Sequence, residues 1–131
     1  MGVDALLARG RRAAEALMVD TCTIRRRTGE ATNPESGVVT PTYSAVYTGK
    51  CRLQQPTGQA NERDVGEATI LMLRFELQLP MSVVGVQADD VVQVTASQMD
   101  PDLVGREFAV RGLSHKTHGV MRRLQLEEVT S

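Results

Sequence analysis

Two periodicities divide the chain. Over Gly2 to about Met18 apolar residues return at helical spacing: Val3, Leu7, Ala14 and Met18 form one stripe, with Leu6, Ala13 and Leu17 beside it. Arg9, Arg11, Arg12 and Glu15 occupy the rest of that surface, and Asp4 near the start suits the helix dipole. Gly10 costs such a helix about 1 kcal/mol relative to Ala, so the segment needs a surface to dock on, its own or another subunit's.

From Val19 the period drops to two. Val19, Thr21 and Thr23 face one way and Cys22 and Ile24 the other, before the run Arg25, Arg26, Arg27. TGEATNPESG carries Gly, Asn-Pro and Ser-Gly turn signals and returns the chain into VVTPTYSAVYTG. The pattern predicts a projecting hairpin with its tip at about 28–38. Pro41 cannot donate to a ladder, which places the return strand at an edge or a bulge. CRLQQ after Gly49 reads as a further short strand. PTGQANERDVG contains almost no large apolar group, and an exposed loop is expected over about 56–67.

The clearest strand follows, ATILMLRFELQLP. Leu71, Leu73, Phe75, Leu77 and Leu79 point to the core while Arg74, Glu76 and Gln78 point away, and Ile70 and Met72 put apolar groups on the outer face. Three more strands, VVQVTAS, REFAVRGLS and VMRRLQLEEV, are separated by DPDLVG and HKTHG, with Phe108, Val110, Leu124 and Leu126 inward. The fold expected is mainly β: a small antiparallel β-barrel or sandwich with an N-terminal amphipathic helix and long inter-strand loops. The helix takes residues 1–18 and a single β domain takes 19–131.

Composition narrows the function. The 131 residues hold one ordinary domain, and a formal net charge of -1 lacks the broad positive field of a protein that lives on duplex nucleic acid. With no Trp, two Phe and two Tyr there are few platforms for stacking single-stranded bases. Nothing approaches the roughly 18 consecutive apolar residues of a membrane span, and MGVDALLARGRR lacks a signal peptide's apolar centre, so synthesis in the cytoplasm is expected. Cys22 and Cys51 have no CxxC spacing and read as reduced thiols buried on neighbouring strands.

No candidate for catalysis emerges. His115 and His118 read as turn residues, since a metal needs a further ligand, and Ser114 beside His115 is a sequence neighbour rather than a spatial dyad. Asp89, Asp90, Asp100 and Asp102 lack the EF-hand order and read as turn shapers. GxxxxGK[ST] and GxGxxG are absent. The expectation is a protein without enzymatic activity, metal or cofactor. Thirteen of the fifteen cations are Arg, in clusters at 9–12, 25–27 and 122–123. Arg favours bidentate pairing at interfaces, so these clusters are open to three readings: a solvated face, contacts between subunits, or passing contacts with DNA phosphates.

The order of features then becomes familiar: LLARGRRAAEALM, VDTCTIRR running into a Gly/Pro-rich hairpin, YTGKCRLQ, a charged loop before a long apolar strand, DDVVQVTASQMDPDLVGREFAVRG and a closing HKTHGVMRRLQLEEV. Over nearly its whole length the chain resembles the small head-to-tail connector proteins of long-tailed phages, specifically the head-closure or stopper proteins of actinobacterial phages. The resemblance rests on feature order and on the phrases CRLQ and DPDLVGREF.

That resemblance implies a virion protein of the phage neck, made in the host cytoplasm. It implies a β-barrel subunit in a ring of six or twelve copies, below the portal or adaptor ring and above tail terminator or tail tube proteins. The ring continues the DNA channel, retains packaged double-stranded DNA without sequence-specific binding and docks the tail; no membrane is involved. A long inter-strand loop gates the channel in such proteins, and the matching residues here are Gln59, Asn61, Glu62, Arg63 and Asp64. Expected contacts between subunits or rings are Arg9, Arg11, Arg12, Arg25, Arg26, Arg27, Pro34, Ile70 and Met72. The alternatives are another neck or tail-end ring protein, an adaptor or a tail terminator, and, from a different class, a small OB-like nucleic-acid-binding barrel or a host-side interaction module.

Overall fold

The computed structural model describes residues 2–55, 60–65, 68–115 and 117–129, with the backbone alone for 60–65 and 68–73. A helix, α1 (Val3–Ala16), precedes strands β1 (Asp20–Thr32), β2 (Val39–Gln54), β3 (Ala60–Val65), β4 (Ala68–Leu79), β5 (Val91–Ser97), β6 (Glu107–Ser114) and β7 (Arg122–Glu128), with one short 3-10 turn at Pro101–Leu103.

All strand pairings are antiparallel, in the order β2-β1-β5-β6-β7-β4-β3, and β2 also pairs with β4. That last pairing, Arg52 to Gln54 against Gln78 to Glu76, closes six strands into a barrel and leaves β3 outside it. Closure hides the strand edges that a flat sheet would expose.

The alternation in the sequence decides what fills it. Cys22, Ile24, Cys51, Leu77, Leu79, Val92, Val94, Phe108, Val110, Leu124 and Leu126 are buried within, and Phe75 meets Phe108 edge to face at 5.0 Å. Gln78 lies on the outward face by the same alternation yet is buried at the β2–β4 seam. Leu71 and Leu73 fall in the part of β4 whose side chains are not described.

Two expectations need correction. CRLQ is no separate strand: β2 runs unbroken from Val39 to Gln54, because Thr48 to Cys51 stay in register against β1. Within the loop expected over 56–67, residues 60–65 are a strand, pairing Ala60 with Leu73 through to Val65 with Ala68. A ladder satisfies backbone groups whatever the side chains, so a polar sequence opposite a strongly β-prone one still pairs.

Register also fixes direction. β1 passes from Asp20, opposite Ser97, to Arg25, opposite Val91, and beyond that point pairs only with β2, out to Thr32 and Val39. β4 pairs with β7 from Arg74 to Leu79 and, before Arg74, only with β3. The barrel therefore carries two two-stranded ribbons, β1–β2 leaving one end and β3–β4 the other.

Candidate functional site

The β1–β2 ribbon is rooted by arginines. Irregular register between Ile24 and Arg25, and again between Arg27 and Gly29, turns successive side chains away from strict alternation. Arg25 donates to Glu107 at 2.9 Å and lies over the Tyr43 ring at 4.6 Å, while its Nε is buried without a partner. Arg26 grips Asp90 with two bonds of 2.9 Å and donates to the Gly85 carbonyl at 2.6 Å. Asp90 is only 2 % exposed and also accepts from the Gln87 amide. Hydrogen bonding to Asp90 raises the Arg26 pKa above its usual value, so the guanidinium stays charged. Arg27 pairs with Glu30 along its own strand. The run expected to face another subunit is thus held by partners within the chain, those of Arg25 and Arg26 being distant in sequence and invisible to local patterning.

Beyond that root every residue from Arg27 to Pro41 is exposed. The tip is nonetheless well formed: Asn33 accepts from the Gly37 amide at 2.8 Å and donates to the Val38 carbonyl at 2.9 Å, and its side chain accepts from Glu35. Gly37 takes φ 73°, which a side chain would strain. Pro34 and Glu35 crown this turn, and Val38 and Val39 are 55 % and 51 % exposed. Pro41 sits on the ribbon's outer strand, paired to Glu30 alone, as an edge position requires.

At the same end of the barrel a concave groove of about 240 Å³ opens between the segment after β4 and the β6–β7 hairpin. Its walls are Leu79, Val83, Val84, Val86, Leu113 and Leu124, and its polar lining is Ser114, His115, Arg122 and Arg123, with no carboxylate. Val84 is 69 % exposed. Arg122 is aimed by donation to the Met81 carbonyl at 3.3 Å, and Arg123 lies 3.6 Å from Glu76. Sequence reasoning passed over this feature, whose only local signal is the apolar SVVGV (82–86), set where a turn was due.

The second half of α1 docks on the barrel. Gly10 lies so close to the β6–β7 turn that a Cβ there would sit 2.8 Å from Val120 Cγ1. Arg11 donates to the Gly119 carbonyl at 3.2 Å, Glu15 pairs with Lys50 at 2.8 Å, and Ala14 and Met18 are buried. Val3 and Leu6 stay exposed, as do Arg9 and Arg12, which meet no carboxylate among the described residues.

Of the other sequence candidates, Gln59 lies outside the described residues, and Asn61, Glu62, Arg63 and Asp64 lie on β3 and Ile70 and Met72 on β4, without described side chains. His115 and His118 are exposed. Asp89 adopts φ 73° and pairs with Arg111, and Asp100 caps the 3-10 turn by accepting from the Asp102 amide. Cys22 and Cys51 are free and buried. Their contact, with burial, pushes the Cys51 thiol far above its usual range. Burial, with Cys22 and Cys51 nearby, pushes the Tyr47 phenol up to about 12, and its hydroxyl donates to the Lys50 carbonyl at 2.8 Å.

A family model described as a family of unknown function (DUF6093) matches residues 10–127. No curated protein matches the chain.

Proposed function

The chain belongs to DUF6093, a family of unknown function, and from its geometry together with the resemblance in its sequence we propose that it works by assembly. In this reading it is a structural protein of the phage neck, one of six or twelve identical subunits in a ring below the portal and adaptor. The ring closes the DNA channel after packaging and docks the tail. The observation that carries the reading is the pair of ribbons leaving opposite ends of a closed barrel. A two-stranded hairpin is marginal alone in water, and one exposed along both faces is suited to be covered by a neighbour.

Charge supports the same reading. A lumen that passes DNA must not hold it, because each neutralised phosphate adds salt-sensitive affinity, and a chain of net charge -1 does not grip a polyanion. The β3–β4 ribbon, with Gln59, Asn61, Glu62, Arg63 and Asp64 in or before β3, is the gate in this reading. Arg9 and Arg12, on the outward side of α1, meet acidic groups of an adjoining ring.

The test is position. In negative-stain images the purified chain, mixed with portal and adaptor, adds a ring below them, and it is found at the neck of mature particles. A chain that never joins that complex and is absent from particles overturns the proposal. Deleting Gln59 to Asp64 leaves the ring intact and lets DNA leak from tailless heads; full retention removes the gate role. Tight binding to free oligonucleotide at moderate salt in a gel-shift series would favour the nucleic-acid-binding class instead.

A further inference from the structure

We propose that the tip of the β1–β2 ribbon docks into the groove beside the β6–β7 hairpin of a second copy of this chain. The inference rests on the ring reading and supplies the contact that builds it. The two surfaces are complementary in charge. Between Thr28 and Thr42 the ribbon carries Glu30 and Glu35 and no cation. Arg27 holds Glu30, while Glu35 has no salt-bridge partner among the described residues. The groove offers Arg122, which meets no carboxylate among the described residues, beside Arg123, which lies 3.6 Å from Glu76.

They are complementary in polarity as well. Val38 and Val39 present branched apolar side chains beside Glu35, and Val83, Val84, Leu113 and Leu124 line the groove. Burying such groups against each other removes apolar surface from water, which favours the contact, with the ion pair at the rim fixing the register. The tip is already shaped by the Asn33 and Gly37 bonds, so little ordering entropy is lost on docking.

Reach selects a second copy. Arg26 to Thr32 are the seven residues of β1 past its last pairing with β5, and at ~3.3 Å per residue they carry the tip about 23 Å from its root. The tip is exposed throughout and does not lie in its own groove. Each copy then gives its tip to one neighbour and its groove to another. Tip and groove are different patches, so the contact is heterologous, the kind that closes into rings.

The experiment uses the full chain. Wild type sediments as an oligomer at high concentration. Glu35→Arg or Arg122→Glu weakens association at least tenfold, and the double exchange restores it, with unchanged circular dichroism confirming that each variant folds. Under mild oxidation a chain carrying both Val38→Cys and Val84→Cys gives a ladder of linked species, and a mixture of the two single variants gives dimers only, the native thiols being buried. Oligomers that ignore both charge reversals, or that link Val38→Cys only to itself, overturn the tip-in-groove contact and leave the ring standing. A wild-type chain that stays monomeric at all concentrations, with no cross-link, overturns both.

Discussion

At position 10 helix propensity and packing pull in opposite directions. Gly10→Ala gains about 1 kcal/mol of propensity, but its methyl meets Val120 at 2.8 Å, an overpacking that costs about 1–3 kcal/mol. The expected result in thermal denaturation is a lower Tm, with Gly10→Ala/Val120→Ala recovering the loss; a higher Tm for the single variant would show that Val120 gives way. The glycine's cost was legible in the sequence and its cause was not, because Val120 is 110 residues away along the chain. The thiols behave the other way. Alternation alone placed Cys22 and Cys51 inside, but their mutual contact, the first cause of the raised Cys51 pKa ahead of burial, needed the fold. A group whose folded pKa lies above its unfolded one lends stability that is intact below the unfolded value and lost as pH rises. Unfolding free energy is therefore expected to fall above about pH 9, the ordinary thiol value, and further between pH 10 and about 12 as the Tyr47 phenol ionises first in the unfolded chain. Denaturant midpoints across that range, with Cys51→Ala removing the first step and Tyr47→Phe the second, check both.

Among the elements, the β1–β2 ribbon and the barrel are separable. Replacing Gly29 to Thr42 by a two-residue Asn-Gly turn keeps Arg25 over Tyr43 and Arg26 on Asp90, and removes only residues that are exposed or at the ribbon's margin. The unfolding free energy is expected to change by no more than a surface substitution does, about 0.5 kcal/mol, and the proposed self-association to be lost. A large drop in Tm would mean that the ribbon supports the barrel. Asp90→Asn acts at the root instead. It weakens the bonds to Arg26 and is expected to cost about 2 kcal/mol, since hydrogen bonds to charged groups contribute about 1.5–3 each, read as a shifted urea midpoint with the slope unchanged. β5, β6 and β7 were legible because each has an inward apolar pair at alternate positions, Val92 and Val94, Phe108 and Val110, Leu124 and Leu126, with turn signals before it. β3 was not, because ANERDV has no apolar face and is a strand only by virtue of β4 opposite it. The groove was equally hidden, being assembled from segments about 30 residues apart whose meeting depends on the pairing of β4 with β7.

For the molecule as a whole, closure is expected to be the late and expensive event. Only Arg52 to Gln54 join β2 to β4, and β1 must find β5 across about 70 residues, so loop entropy is lost before those contacts form. Refolding from urea is expected in milliseconds to seconds, slow for the chain's size, as for other folds built on distant pairings. Stopped-flow refolding in microseconds would contradict it. The barrel class was readable in advance, from short alternating strands and one helix; how it closes, and where each ribbon points, depended on register that no single segment carries. That register gives the molecule a polarity. One pole bears a ribbon ending in Glu35 and the valines, the opposite pole bears β3 with β4, and no rotation exchanges them. An object of this kind is an arrow. Were copies to stand side by side in one annulus, all would point the same way, and the annulus would possess an upper and a lower rim able to tell apart what comes before it from what comes after.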